Sequence, residues 1–372
     1  MQQNTVIDTE TRINLANMDK QSMESFFLDI GEKPFRASQV IHWIHHQGVT
    51  EFENMSNLCK PLRERLAEIT RITFPEIVAE QLSQDGSRKW LFRIDADNSI
   101  ETVFIPERNR GTLCISTQAG CAMNCSFCAT ARQGFGRNLS VGEIIGQVWT
   151  ANKALGYFAS RQKIITNIVM MGMGEPLLNL DNVLKAINLM LDDLSYGLAR
   201  RRVTISTAGV VPVMDKLREL CNVSLAVSLH ATNNALRDTL VPLNKKYPIE
   251  ELLESCSKYS QAQSGEPITF EYVMLDGIND SAEEAYQLSK LLSGIPCKVN
   301  LIPFNSFTDS GYRRSSPEAI ERFREILMNA GIITITRRPR GEDIDAACGQ
   351  LVGLITSRNR EGHAVRPMEF RA

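Results

Sequence analysis

GTLCISTQAGCAMNCSFC, residues 111–128, sets a short β-type run, Thr112–Ser116, directly against a loop with cysteines at 121, 125 and 128. Downstream the same kind of run recurs at Ile164–Met171, Val203–Ser206, Val223–Leu229, Ile268–Leu275 and Lys298–Ile302. Between the runs lie segments with helical apolar spacing: Val141–Leu155, Asp181–Leu194, Val211–Leu220, Ile249–Ser260, Ala282–Leu292 and Pro317–Asn329. Strand and helix in regular alternation imply right-handed crossovers and a parallel sheet. Six such units suit a partial (β/α)6 barrel better than a closed eight-stranded one, with an extra run at Ile332–Thr336. The fold class expected is therefore α/β.

Upstream the pattern differs. Residues 20–72 read as helices, with Phe35–Gln47 carrying Val40, Ile41, Trp43 and Ile44, and Leu58–Ile69 in the same period. Lys89–Ile94 and Ile100–Ile105 flank Asp95-Ala96-Asp97-Asn98, a β-hairpin pattern. The expected organisation is a helical accessory domain over 1–85, a hairpin linker over 86–110, the barrel over 111–351 and a tail over 352–372. The chain of 372 residues is 43% hydrophobic and 23% charged, the balance of a globular protein. Met1–Lys20 lacks a signal-peptide stretch, and no run of about 18 apolar residues occurs. A cytoplasmic protein with no membrane partner is expected.

Nine cysteines in such a compartment do not suggest a disulfide framework. Cys59, Cys221, Cys256 and Cys297 are scattered and read as buried apolar residues. Cys121, Cys125 and Cys128 are different: three thiolates on one short loop suit a soft metal centre. A structural zinc site needs four ligands, which Cys114 or Cys348 would have to complete. An electron-transfer [4Fe–4S] cluster also wants four. Three ligands leave one iron open, and S-adenosylmethionine (SAM) can chelate it through its amino and carboxylate groups. The C-x3-C-x2-C spacing, with Phe127 before the last cysteine, resembles the radical SAM superfamily.

Polar groups recur where the expected strands end, the place where parallel barrels carry their sites. Met171-Gly172-Met173-Gly174-Glu175-Pro176 follows the second run, where glycines admit a close ligand and a carboxylate can take the SAM ammonium. Ser206 ends the third, Ser228-Leu229-His230 the fourth, and Asn305 follows the sixth. With Asn244-Lys245-Lys246-Tyr247 and Asp343–Leu351, these motifs resemble the RlmN/Cfr family of radical SAM methyltransferases, from about Met18 to Leu351. The resemblance implies SAM contacts at Gly174, Glu175, Ser206, Ser228, Leu229, His230 and Asn305, and one [4Fe–4S] cluster on Cys121, Cys125 and Cys128. It implies methylation of C2 of an adenine in 23S rRNA and of the adenine 3′ of the anticodon in tRNAs, with two SAM per turnover. In that scheme Cys348 carries the methyl group, Glu101 accepts the C2 proton, and Cys114 releases the product, leaving a disulfide that a reductant must reopen. An electron donor such as flavodoxin is implied.

A net charge of −2 does not by itself suggest RNA binding. Local arginine groups do: Arg200-Arg201-Arg202, Arg313-Arg314, Arg337-Arg338-Pro339-Arg340, and Arg358, Arg360, Arg366 and Arg371 in the tail. His42, His45 and His46 are expected on a solvated or RNA-facing surface. Alternative functions are adenine C8 methylation, a non-catalytic Fe–S RNA-binding protein, and a zinc-stabilised nucleic-acid module.

Overall fold

The computed structural model describes residues 12–263 and 265–353, so the tail arginines lie outside the described residues. One ten-stranded sheet organises the chain: β1 (Glu76–Leu82), β2 (Arg88–Arg93), β3 (Ser99–Glu107), β4 (Arg110–Cys114), β5 (Asn167–Met170), β6 (Val203–Thr207), β7 (Ser224–Ser228), β8 (Ile268–Met274), β9 (Cys297–Pro303) and β10 (Ile333–Thr336). Spatial order follows chain order from β1 to β10. Strands β4 to β10 pair in parallel, whereas β1 to β4 form an antiparallel meander.

The parallel part is as expected from the alternating pattern, and the extra run is a seventh parallel strand, paired with β9. The antiparallel part is larger than a hairpin. Residues 76–82, past the expected helices of 20–72 but inside the span assigned to the helical accessory domain, form β1. Its sequence, Glu-Ile-Val-Ala-Glu-Gln-Leu, alternates in exposure along an edge strand, a period-2 pattern that its helix-forming Glu, Ala and Gln disguise.

Helices α1 (Lys20–Asp29), α2 (Arg36–Ile41) and α3 (Lys60–Ile69) precede the sheet. The crossovers hold α4 (Val141–Ala154), α5 (Leu180–Leu191), α6 (Val211–Leu220), α7 (Asn234–Leu240), α8 (Ile249–Ala262), α9 (Ala282–Leu291) and α10 (Pro317–Asn329). Helix α4 begins at a capping box in which Ser140 and Glu143 satisfy each other's free amides. Its fully buried Gln147 accepts from Thr102 Oγ1 at 2.7 Å and from Ser116 N at 2.8 Å, and donates to Ser116 O at 2.8 Å. One side chain thus joins a helix, β3 and the chain leaving β4.

The N-terminal helices seat on α4 as well. Gly142 N donates to Asn17 Oδ1 at 2.8 Å, and a Cβ at Gly142 would stand only 2.8 Å from that oxygen, so glycine is required by the approach. Trp149 Nε1 donates to Ile44 O at 2.9 Å. The α2 helix continues as a π-turn over His42–His46 and turns His45 inward, fully buried, 3.1 Å from Tyr196 OH. His45 is therefore an interface residue, not a surface one. Cys59 also departs from expectation: it is exposed at the start of α3, while Cys221 and Cys256 are buried and Cys297 is half-buried. No helix among the described residues is long and apolar enough to cross a membrane.

Candidate active site at the strand ends

Strands β5 to β9 bury apolar side chains along their length, and polar or small residues follow at or near their C-terminal ends. At the C-terminal ends those residues line one cavity of about 150 Å³. Cys121, Cys125 and Cys128 form one part of its wall, and Gly174, Glu175, Ser206, Ser228, His230, Asn305 and Cys348 form others. With Glu271 and Val273 of β8, seven distant stretches of chain meet around one space.

The cysteine loop is pinned at several points. Cys121 N donates to Gly134 O at 2.8 Å, Ser126 N to Leu240 O at 3.1 Å, and Asn124 takes a left-handed backbone with φ of 56°. Burial pushes the Cys121 thiol up to about 12 and raises Cys125 and Cys128 as well. Ionising such a thiol is costly until a cation compensates it. Among the described residues no three His, Cys, Asp or Glu side chains are already gathered as a finished metal site. The three thiols face the same cavity within range of one another's charge. This soft, three-donor set fits a [4Fe–4S] cluster with one iron left for a ligand.

Glu175 is buried, with Oε1 accepting from Leu177 N at 3.1 Å and Oε2 from Ala208 N at 2.7 Å. Burial pushes its carboxyl up to about 7. Gly174, at φ 99°, packs so closely that a Cβ would stand 2.5 Å from the Gln118 side chain. His230 also has a left-handed backbone, φ 60°. Its Nδ1 accepts from Val273 N at 3.0 Å, which leaves the proton on Nε2, and burial lowers its pKa to about 3. Its ring meets Phe127 of the cysteine loop edge-on at 4.6 Å. Leu229 differs from its neighbours. Its side chain is fully buried, its carbonyl accepts from Arg237, and it is not part of the cavity wall.

The two remaining cysteines come together from opposite ends of the domain. Cys114 ends β4, and burial pushes its thiol up to about 12, with the Cys348 thiol adding to the effect. Cys348 lies on the loop after β10, its carbonyl accepting from Asn305 Nδ2 at 3.2 Å. It is exposed, but to the cavity, and the surrounding protein still raises its thiol against the pull of Arg337. All nine cysteines are free, so the Cys114–Cys348 disulfide implied by the resemblance is not present. This is the reduced form, the only one in which either sulfur can act as a nucleophile.

Glu101 alternates with apolar neighbours in sequence, a strand position that suggests a solvated side chain. The structure buries it. Its Oε1 stands 3.1 Å from Lys89 Nζ and its Oε2 accepts from Val352 N at 2.8 Å. Burial raises its carboxyl against the attraction of Lys89. It borders the chain leaving the Cys348 loop but does not line the cavity itself.

A model of the ribosomal RNA large subunit methyltransferase N-terminal domain matches residues 13–72, and a model of the radical SAM superfamily matches residues 115–289. The solved structure of a radical SAM methyltransferase from Sphaerobacter thermophilus is 42% identical, with a TM-score of 0.84, over 91% of this chain and 99% of that one. This chain is a radical SAM methyltransferase of the RlmN family. A domain of the pyruvate-formate lyase-activating enzyme from Bacteroides vulgatus is a distant likeness, at 17% identity over 46% of this chain and 99% of that one, TM-score 0.36.

Within an RlmN-family site, several residues escaped the sequence reading. Arg237 is almost fully buried and donates to Leu229 O at 3.1 Å, Ser228 O at 2.9 Å, Ala208 O at 2.8 Å and Asn244 Oδ1 at 3.0 Å. It ties the ends of β6 and β7 together and explains why Asn244 stands in its motif. Glu271 lines the cavity from β8; a lone carboxylate in Ile-Thr-Phe-Glu-Tyr-Val-Met was a readable signal. Lys89 gave none. Among the arginine groups, Arg314 is committed to Phe304 O at 2.7 Å and Asn305 Oδ1 at 3.1 Å. Arg337 also turns inward, its Nη1 4.0 Å from Cys348 Sγ, and is half-buried rather than free on the surface.

Proposed function

We propose that this RlmN-family enzyme methylates adenine C2 in 23S rRNA and in tRNAs, through a methyl group carried on Cys348. The observation that supports this most is the meeting of Cys348 and the three loop cysteines on one cavity wall, with Cys114 close behind. Adenine C2 is an electron-poor amidine carbon and does not attack a sulfonium methyl as a nucleophile. A cluster held by Cys121, Cys125 and Cys128 would supply the single electron that opens radical chemistry with SAM.

The chain's own groups have separable tasks. Glu175, at the end of a buried path of backbone donors, would take the SAM ammonium, and Ser206, Ser228, His230 and Asn305 would orient the rest. Cys348 sulfur accepts a methyl group by displacement, and the same sulfur would join the methyl carbon to the base. Glu101 would accept the C2 proton, which requires it to leave its contacts with Lys89 and Val352. Cys114 would then attack the Cys348 sulfur and free the product. Two SAM would be used per turnover, with a flavodoxin-type donor and a thiol reductant in the cytoplasm.

The test is anaerobic incubation of holoenzyme with 23S rRNA, SAM and reductant, followed by nucleoside mass spectrometry. 2-Methyladenosine is expected; 8-methyladenosine or no product overturns the reading. Cys114→Ala is expected to accumulate a protein–RNA adduct on Cys348 that survives denaturation, and its absence with cluster and SAM binding intact would exclude the methylcysteine route.

A further inference from the structure

Arg337 directly follows β10, the edge strand of the sheet, in a basic stretch that suggests a surface patch. Its side chain turns inward. Nη1 stands 4.0 Å from Cys348 Sγ and Nη2 3.5 Å from Met171 Sδ, while its backbone amide donates to Leu301 O at 2.8 Å. Met171 in turn follows β5, the strand paired with the end of β4 that carries Cys114, and its backbone lies against the Cys114 thiol. One guanidinium therefore touches the segments that hold both thiols.

Glu271 supplies the opposing charge nearby. This side chain is 3% exposed; Oε1 accepts from Asn300 Nδ2 at 2.9 Å, and Oε2 has no hydrogen-bond partner. A buried carboxylate with an open oxygen needs a nearby cation, and Glu271 is the strongest charge acting on Arg337, ahead of Cys348 and Cys114. Of the groups that act most strongly on the Cys348 sulfur, Arg337 is the cation.

The geometry points to Arg337 as a positioning residue for the two thiols, with Glu271 as its counter-charge, that gathers Cys348 beside Cys114 and supports negative charge on the Cys348 sulfur. That sulfur must carry the charge when it takes a methyl group. Its S–CH3 bond forms as the sulfonium S–CH3 bond of SAM breaks, S-adenosylhomocysteine leaves, and the thiol proton has passed to water. A guanidinium suits the task because it stays protonated at any working pH and spreads its charge over a planar fork. The idea that this matters for methyl transfer rests on the proposed function, but the placement of charge does not.

The test needs neither SAM nor RNA. Enzyme purified without its cluster, reconstituted anaerobically with no SAM present and shown by mass to be unmethylated on Cys348, is treated with iodoacetamide at fixed pH, and alkylation of the Cys348 peptide is followed by mass spectrometry. Arg337→Met is expected to slow it about tenfold, the scale on which a neighbouring cation changes the thiolate fraction. Arg337→Lys is expected to recover most of the rate, since it restores charge without the fork; lost packing alone would not be rescued in this way. Arg337→Gln, polar but neutral, serves if Arg337→Met does not fold, with the same slowing expected. A wild-type rate in the neutral variants, or a lysine variant no faster than they are, overturns the inference. An enzyme that holds no iron or never becomes methylated on Cys348 would sink the proposed function and leave the alkylation result standing.

Discussion

Glu175 shows how much one side chain is altered by its surroundings. Burial raises its folded pKa to about 7 from a usual 4.5. The folded state then holds a proton that the unfolded chain releases above about 4.5, so this contribution to stability is present at low pH and is lost as pH rises toward 7. The span corresponds to at most about 3 kcal/mol. Glu175→Gln removes the dependence, so its apo form is expected to gain on wild type in thermal melts between pH 4.5 and 7 and to run parallel above. Equal pH profiles would mean the carboxylate is already ionised when folded. A different kind of residue-scale prediction concerns the loop cysteines. Three donors leave no redundancy, so replacing Cys121, Cys125 or Cys128 with Ala is expected to abolish iron binding and brown absorption after anaerobic reconstitution. A variant that keeps both would remove that residue from the ligand set.

Among the elements, the antiparallel meander is a clamp on the Cys348 loop. Ser83 Oγ and Gln84 N donate to the two oxygens of Asp343 at 2.6 and 3.1 Å, and Gly341 N donates to Asp85 Oδ2 at 3.1 Å. Deeper in, Lys89 Nζ reaches Asp345 O at 3.3 Å as well as Glu101. The Lys89–Glu101 pair is 9% exposed on both sides, so the interior does not screen it as solvent would. Removing one partner of such a pair leaves a buried charge unmatched and costs about 3–5 kcal/mol. Lys89→Met is therefore expected to lower urea stability by about that amount, and adding Glu101→Gln to restore most of it. If the double variant is no better than Lys89→Met, the pair is not what holds the strand. None of this clamp was legible beforehand, because alternation along β3 says which residues share a face but not that both faces are covered. Glu101 lies in a run, Ser99 to Phe104, that is buried throughout.

For the whole molecule, the sheet direction sorts the arginines. Arg200-Arg201-Arg202 immediately precede β6, at the strand ends opposite the cavity, and Arg202 is bonded to Asn167 Oδ1 at 2.9 Å. Arg313 and Arg338 follow β9 and β10 on the cavity side, both exposed. An RNA whose base enters the cavity meets the second group and not the first. Charge reversal at Arg313 and Arg338 is expected to weaken RNA affinity and to flatten its salt dependence by about one unit of slope per lost phosphate contact. Reversal at Arg200 and Arg201 is expected to leave both unchanged, and an equal loss from the two groups would argue against entry from the strand ends. The N-terminal helices, seated on α4 through Asn17 and Ile44 and on Tyr196 through His45, are carried by the same sheet.

Local pattern alone determined most of the elements. Helices over 211–220 and 317–329 carry the bounds expected of them, since caps and apolar periods are properties of neighbouring residues. The cysteine loop and the polar strand ends were readable for the same reason: each is a few residues following a strand. Only the tertiary structure decided which side chains share an environment. Arg337 in a basic tetrapeptide, His45 in a histidine-rich turn and Glu101 on an alternating strand all look solvated in sequence, and each is turned inward by elements far along the chain. Burial and charge pairing depend on what packs from a distance, and sequence spacing carries no record of that.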